Sequence, residues 1–170
     1  PMIWWPTQGH VDVRARVAQL LNMELGQIKV VASEIGGGFG GKTTVYLEPV
    51  ALILSKKSGR PVKMTMSRED VFRASGPASA SQSTVKIGAK SDGTITAMQA
   101  SLHYEAGAFK GSPMGPGCMT IFTPYDVENM YVEGFDVVVN KPKAAAYRAP
   151  GAPQAEFAAE MAVNELASKL

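Results

Sequence analysis

The run of glycines at residues 36–41 constrains this chain more than any other feature. It reads Gly-Gly-Gly-Phe-Gly-Gly and continues into Lys42 and Thr43. Glycine has no Cβ and adopts positive φ freely, so such a segment turns tightly and can bring backbone amides close to an anion. Apolar patterns before and after it predict a strand at 28–32 and a helix at 47–58. The sequence therefore predicts a strand–loop–helix bend that binds an anion, assisted by the dipole of the following helix.

Two nucleotide-binding motifs overlap in this loop. Gly36, Gly41, Lys42 and Thr43 satisfy the P-loop pattern G-x-x-x-x-G-K-T. Gly36, Gly38 and Gly41 also satisfy the dinucleotide pattern G-x-G-x-x-G. No later strand ends in an aspartate suited to magnesium, and only basic residues stand about twenty positions on, where a ribose-binding acid belongs. A phosphate-binding domain of either kind is therefore kept as an alternative.

The first part of the chain predicts strand–helix units. The elements expected there are a helix capped by Asp12 and ended by Gly26, the strand and helix beside the glycine loop, a short strand at 61–66 and a helical turn capped from Ser67. The predicted face of the second helix contains Leu47, Val50, Ala51 and Leu54.

The second part predicts an antiparallel hairpin and a final helix. Asp92-Gly93 is a strong turn signal between a strand at 85–89 and a return strand. The return strand is predicted to bury one face, made of Met98, Ala100, Leu102 and Tyr104. An ordered loop at 107–125, a strand at 132–139, an irregular segment at 141–153 and a helix from Gln154 complete the prediction. The fold class is α+β, with strand–helix units plus an antiparallel hairpin.

Composition excludes several functions. A net charge of +2 argues against nucleic acid, and no apolar run is long enough to predict a membrane span. The single cysteine, Cys118, cannot build an iron–sulfur or zinc site, and it fits a reducing, cytoplasmic compartment. Trp4 and Trp5 at one end, and a helical pattern running to the other, predict a piece of a larger chain that exposes apolar surface and self-associates.

Several segments together resemble one enzyme family. They are 7–10, the glycine loop with Lys42, 46–49, 67–72, 104–109, 124–129, 140–142 and 146–155, in that order. This order and spread resemble the molybdenum hydroxylases, the family of xanthine dehydrogenase, aldehyde oxidase and carbon monoxide dehydrogenase. The resemblance implies that residues 1–170 are a fragment of the molybdenum-cofactor-binding domain of a larger subunit.

The resemblance also implies a cofactor and its contacts. The cofactor is a molybdopterin carrying molybdenum, in bacterial relatives usually in the cytosine dinucleotide form, and protein side chains do not ligate the metal directly. Gln8 would hydrogen-bond an oxygen on the metal, and Arg148 would lie close to the pterin. The backbone of the glycine loop would pass beside the metal at Gly37, Gly38, Phe39, Gly40 and Gly41. Taken without the family, Gln8 could be a capping residue and Arg148 a surface residue.

The family hydroxylates an aldehyde or heteroaromatic carbon with oxygen from water. The resemblance places Thr43, Tyr147 and Pro150 at the substrate cleft. It implies partner subunits that carry 2Fe-2S clusters and FAD. Purine-oxidising members have a glutamate at the place of Thr43 and an arginine where Pro116 and its neighbours stand, so a purine substrate is not expected. The family's glutamate base lies far toward the C-terminus, so the parent is expected to be an enzyme and this fragment inactive, a purely structural piece being the other possibility.

Overall fold

The computed structural model describes residues 1–170, which divide into an N-terminal unit, Pro1–Ser75, and a C-terminal unit, Gly76–Leu170. Each unit contains both helices and a sheet, so the α+β class predicted from the sequence is confirmed. None of the helices is both long and apolar enough to cross a membrane.

The N-terminal unit is built on a strand–helix–strand unit with parallel strands. Its elements are β1 (Met2–Trp5), α1 (His10–Leu21), β2 (Lys29–Ala32), α2 (Glu48–Ser58) and α3 (Arg68–Ala74). Ile3 of β1 pairs with Val30 of β2. A crossover helix is what parallel neighbours require, and α1 supplies it. The core residues of this unit are Ile3, Val13, Val17, Ala18 and Ile28.

The ends of α1 differ from the prediction. The helix begins at His10 with Gly9 at the N-cap, so Asp12 lies in the first turn and is not the cap. It ends at Leu21, before Gly26, because Asn22 takes a left-handed conformation with φ 49°. Asparagine tolerates this conformation better than most residues and often ends helices.

Two further predictions for this unit are wrong. Residues 61–66 form no strand, although Val62, Met64 and Met66 alternate with exposed neighbours, because no other strand pairs with them. The helix α2 has the predicted extent, but Val50 and Leu54 are exposed. Leu52 packs against the core in their place. The predicted cap of α3 is confirmed, since Ser67 and Asp70 form a capping box.

The C-terminal unit is a three-stranded sheet covered by two helices. Its elements are β3 (Ser81–Ala89), β4 (Ile95–Gly107), α4 (Met114–Thr120), β5 (Asn129–Val138) and α5 (Ala152–Lys169). β3 and β4 form the predicted antiparallel hairpin, whereas β5 runs parallel to β4 on its other side. The predicted inner face of β4 is confirmed, because Met98, Ala100, Leu102 and Tyr104 are all buried.

The helix α4 lies where an ordered loop was predicted. Its sequence, Met-Gly-Pro-Gly-Cys-Met-Thr, contains residues that normally argue against a helix. Gly117 is required by close packing, because a Cβ at this position would lie 2.7 Å from the hydroxyl of Tyr104. The strand β5 also packs closely against α4, since a Cβ on Gly134 of β5 would lie 2.4 Å from the sulfur of Met114.

Candidate functional site: the glycine loop and the Arg148 segment

The glycine loop turns sharply in the N-terminal unit. Gly36, Gly37 and Gly40 have φ of 64°, 116° and 94°, and Phe39 also has a positive φ, 52°. The loop closes on itself through a hydrogen bond from Gly41 N to Gly38 O, 2.9 Å. These conformations are open to glycine and rare for other residues, which explains the glycines at 36, 37 and 40.

Gln8 braces this loop. Its side-chain oxygen Oε1 accepts hydrogen bonds from Gly40 N at 2.9 Å and from Lys42 N at 3.1 Å. Its own backbone N–H donates to Lys42 O at 3.0 Å. Gln8 follows β1 and the loop follows β2, so the parallel pairing of these strands brings the two segments together. Because Oε1 receives both amides, the side-chain NH₂ of Gln8 is the group left to donate elsewhere.

The loop has room for this glutamine only because residue 38 is glycine. A Cβ on Gly38 would lie 2.3 Å from Cδ of Gln8, well inside the contact distance of two carbon atoms. The backbone N–H groups of Gly37, Gly38 and Phe39 have no hydrogen-bond partner within the chain. Together with the NH₂ of Gln8, they form a set of donors suited to an anionic group that is held without metal-ligating side chains.

The geometry disagrees with the P-loop and dinucleotide alternatives. The helix α2 begins at Glu48, so the glycine loop does not lead into a helix N-terminus and the predicted dipole contribution is wrong. Lys42 Nζ donates to Ile35 O, which holds the side chain against the loop's own backbone. Thr43 Oγ1 likewise donates to Gly40 O at 2.7 Å. A P-loop lysine and threonine must instead reach phosphate and magnesium.

Glu48, the first residue of α2, is a buried carboxyl. Its residue is 1% exposed, and Oε2 accepts a hydrogen bond from Tyr46 N at 2.7 Å. The other oxygen, Oε1, is buried without a partner. Burial raises the pKa of Glu48, and backbone hydrogen bonds at 46–48 offset part of this effect. The sequence feature that could have pointed to Glu48 is an acidic residue followed by a proline at the start of a helix.

The Arg148 segment, residues 141–151, lies in the C-terminal unit and is irregular, although it ends two residues before the predicted 153 because α5 begins at Ala152. Arg148 and Ala149 have positive φ, 26° and 52°, which side chains rarely adopt. Tyr147 and Arg148 are exposed, and Pro150 is half-buried. No hydrogen bond or ion pair within the chain holds the guanidinium of Arg148, so its fixed donors are free to bind an anionic group.

The other carboxylates and the cysteine give no second centre. Glu105 forms an ion pair with Lys141, 2.9 Å, and Cys118 contacts Met114 through their sulfurs at 3.6 Å. No group of three His, Cys, Asp or Glu side chains could hold a metal ion. A shallow groove lies across the ends of β3, β4 and β5, and its lining contains none of the predicted site residues.

The fold and this loop define an α+β domain that presents backbone and amide donors instead of metal ligands. The family model of the molybdopterin cofactor-binding domain matches residues 2–170. The chain is 32% identical to the xanthine dehydrogenase molybdenum-binding subunit of Escherichia coli O157:H7, over 93% of this chain and 22% of that protein. It is also 32% identical to the nicotinate dehydrogenase large molybdopterin subunit of Eubacterium barkeri, over 95% of this chain and 38% of that protein.

Solved structures agree with these relatives. Quinoline 2-oxidoreductase from Pseudomonas putida 86 superposes with a TM-score of 0.93 and 27% identity, over 99% of this chain and 22% of its own. The chain therefore belongs to the molybdopterin cofactor-binding domain family, as the resemblance implied. It spans 22% and 38% of the two relatives described above, so it corresponds to one part of such a protein.

Proposed function

We propose that residues 1–170 are part of the cofactor-binding domain in the large subunit of a molybdenum-dependent oxidoreductase. The observation that carries the proposal is the arrangement of Gln8, whose side-chain oxygen is occupied by Gly40 N and Lys42 N. This arrangement leaves the NH₂ of Gln8 as a donor of fixed direction beside the unpaired amides of the glycine loop. Family membership supports the same interpretation.

The residues of this chain would hold the cofactor by hydrogen bonds and shape. The cofactor we propose is molybdopterin with molybdenum, in its cytosine dinucleotide form, and when bound it supplies the redox centre of the reaction. Gln8 would donate a hydrogen bond to an oxygen on the metal, and the backbone from Gly37 to Gly41 would lie against the cofactor. In the other unit, Arg148 offers its guanidinium to an anionic part of the cofactor or substrate. Neutral and cationic donors stabilise such an anionic group in a site from which water is excluded.

The reaction we propose is hydroxylation of an aldehyde or heteroaromatic carbon. A C–H bond becomes C–OH, water supplies the oxygen, two protons are released, and two electrons pass to an acceptor through 2Fe-2S and FAD groups on partner subunits. Thr43, Tyr147 and Pro150 are assigned to the substrate cleft. Thr43 has no carboxylate to pair with a purine, so we expect purines to be poor substrates.

The catalytic base is proposed to lie outside this chain, in the remainder of the large subunit. Glu105 is occupied by Lys141 and Glu48 is enclosed by protein, so neither is placed as a base. A general base typically contributes about 10² to 10⁴ in rate, and its loss alone would leave little turnover. We therefore expect the isolated chain to be inactive, to expose apolar surface and to self-associate, and the complete enzyme to be cytoplasmic.

Labelled water tests the reaction. The complete protein that contains this chain is supplied with a dye acceptor and, in separate assays, an aromatic aldehyde, an N-heteroaromatic compound and a purine. The expected result is a hydroxylated aldehyde or heteroaromatic product whose new oxygen comes from heavy-oxygen water. The purine should react more slowly. Incorporation of oxygen from O₂ in place of water would contradict the proposal.

A further inference from the structure

Tyr104 connects the core of the C-terminal unit to the end of the Arg148 segment. Its side chain is fully buried on β4, and its hydroxyl donates to Gly151 O at 2.7 Å. The same carbonyl accepts a hydrogen bond from Ala155 N at 3.2 Å. One oxygen therefore ties together the buried strand, the end of the irregular segment and the first turn of α5.

Two glycines make this connection tight. A Cβ on Gly151 would lie 2.2 Å from Pro113 O, and one on Gly117 would lie 2.7 Å from the hydroxyl of Tyr104. Gly151 also has φ 92°, a conformation that other residues rarely adopt. No side chain fits at either position, so Gly151 has little freedom to shift against Tyr104.

The upstream end of the segment is fixed by other bonds. Lys143 Nζ donates to Gly111 O at 2.6 Å, and the backbone N–H groups of Ala144 and Ala145 donate to Ala106 O and Pro77 O. Asp136 in turn accepts hydrogen bonds from the amides of 111 and 112. Between these anchors, residues 146–150 make a single hydrogen bond, the one that Ala149 O accepts from Ala152 N. The path of this short bridge is thus set by where its two ends are held.

We propose that Tyr104 is a positioning residue: by holding Gly151, its hydroxyl sets the direction in which Arg148 is presented. This inference rests on the proposed function, in which Arg148 contacts the cofactor or the substrate. The positive φ at Arg148 and Ala149 fits this role, because such strained conformations persist only where the surrounding structure holds them. Burial also raises the pKa of Tyr104, so the hydroxyl keeps the proton that it donates.

The test removes one oxygen atom. Tyr104→Phe keeps the ring in the core, and Tyr125→Phe is the matched control, because its hydroxyl bonds Glu160 farther along α5. Both variants are made in the complete protein that contains this chain, with two readouts on each: amide hydrogen exchange and pterin content per polypeptide. Tyr104→Phe is expected to speed exchange of the Ala152 and Ala155 amides, which are hydrogen-bonded to Ala149 O and Gly151 O, by about tenfold and leave the β3–β4 ladder unchanged. It should also lower the pterin content, whereas Tyr125→Phe should do neither.

Different outcomes would contradict the positioning role of Tyr104 and the proposed cofactor-binding function. Equal exchange in the two variants overturns the positioning role, and so does fast exchange in Tyr104→Phe with unchanged pterin content. Unsubstituted protein that carries no pterin overturns the proposed function, and the inference with it. If Tyr104→Phe does not fold, amide exchange in the unsubstituted protein is the test. The proposal predicts that the Ala155 amide is protected from exchange to the same degree as the amides of the β3–β4 ladder. Protection no better than at the exposed end of α5 contradicts the proposal.

Discussion

The side-chain oxygen of Gln8 lies 2.9 Å from the backbone nitrogen of Gly40, and this hydrogen bond decides which groups of the glycine loop remain available. In an anion-binding loop of the P-loop kind, such amides would point at phosphate. Here two of them, at Gly40 and Lys42, are already satisfied by Gln8. The loop is therefore ordered before any ligand binds, which reduces the conformational entropy that is lost on binding.

Replacing Gln8 should weaken the N-terminal unit. Gln8→Ala removes the acceptor of two solvent-exposed amide hydrogen bonds, so we expect a loss of about 1 kcal/mol in the free energy of unfolding. Both tryptophans, Trp4 and Trp5, lie in this unit, so their fluorescence during urea unfolding reports on it. The control is Gln19→Ala on α1, whose side chain makes no hydrogen bond and should cost little; equal losses in the two variants would contradict the bracing role.

Gly38→Ala should act through Gln8. The added Cβ would lie 2.3 Å from Cδ of Gln8, so the glutamine side chain must move and release the loop amides. We expect the two substitutions to be non-additive: in the Gln8→Ala background, Gly38→Ala should cost clearly less than it does alone. Gly26→Ala serves as a control, since a Cβ there meets nothing within 4 Å. Fully additive losses in the same urea experiment would show that Gly38 is needed for some other reason.

Lys42→Ala should not affect nucleotide binding. Lys42 Nζ donates to Ile35 O, and α2 begins only at Glu48, so the loop lacks the arrangement that holds a triphosphate. Isothermal titration of the unsubstituted chain with MgATP is expected to give no measurable heat of binding, and the variant should behave identically. ATP affinity that disappears with Lys42→Ala would restore the P-loop interpretation.

Glu48 should make the N-terminal unit less stable as the pH rises. Burial raises its pKa in the folded state above the ordinary value of 4.5, so the folded chain holds this proton more tightly than the unfolded chain. The stabilising effect of the bound proton is present below 4.5 and is lost as the pH rises through the folded pKa.

The test compares Glu48→Gln with Glu34→Gln, whose parent residue is exposed. Tryptophan-monitored urea unfolding between about pH 4 and pH 8 should show that Glu48→Gln removes part of the decline in stability with pH. Glu34→Gln should leave the decline unchanged. A decline that is the same in all three proteins would mean that Glu48 does not titrate as its burial requires.

The sequence predicted the elements whose signals are local. The hairpin around Asp92-Gly93 followed from alternation and a turn dipeptide, and the helix start at Ser67 from the local sequence. Helix α4 was missed because its glycines serve packing against Tyr104 and β5, and packing partners distant along the chain leave no local pattern. The short strand predicted at 61–66 failed for the related reason that alternation cannot show whether a partner strand exists.

The candidate site was predictable in part. The resemblance singled out Gln8 and the glycine loop, but the contact between them depends on the parallel pairing of β1 and β2, which the sequence does not display. The hydrogen bond from Tyr104 to Gly151 spans 47 positions in the chain and had no sequence signal beyond the buried face of β4. The unpartnered oxygen of Glu48 was likewise visible only once its burial was known.

The molybdenum and pterin content of the complete protein tests the central claim most directly. The protein is purified from cells that load other molybdenum enzymes, and both components are measured per polypeptide by elemental analysis and by fluorescence of the released, oxidised pterin. We predict equal amounts of the two in unsubstituted protein and a marked loss of both in Gln8→Ala. Folded protein that contains neither molybdenum nor pterin would contradict the account.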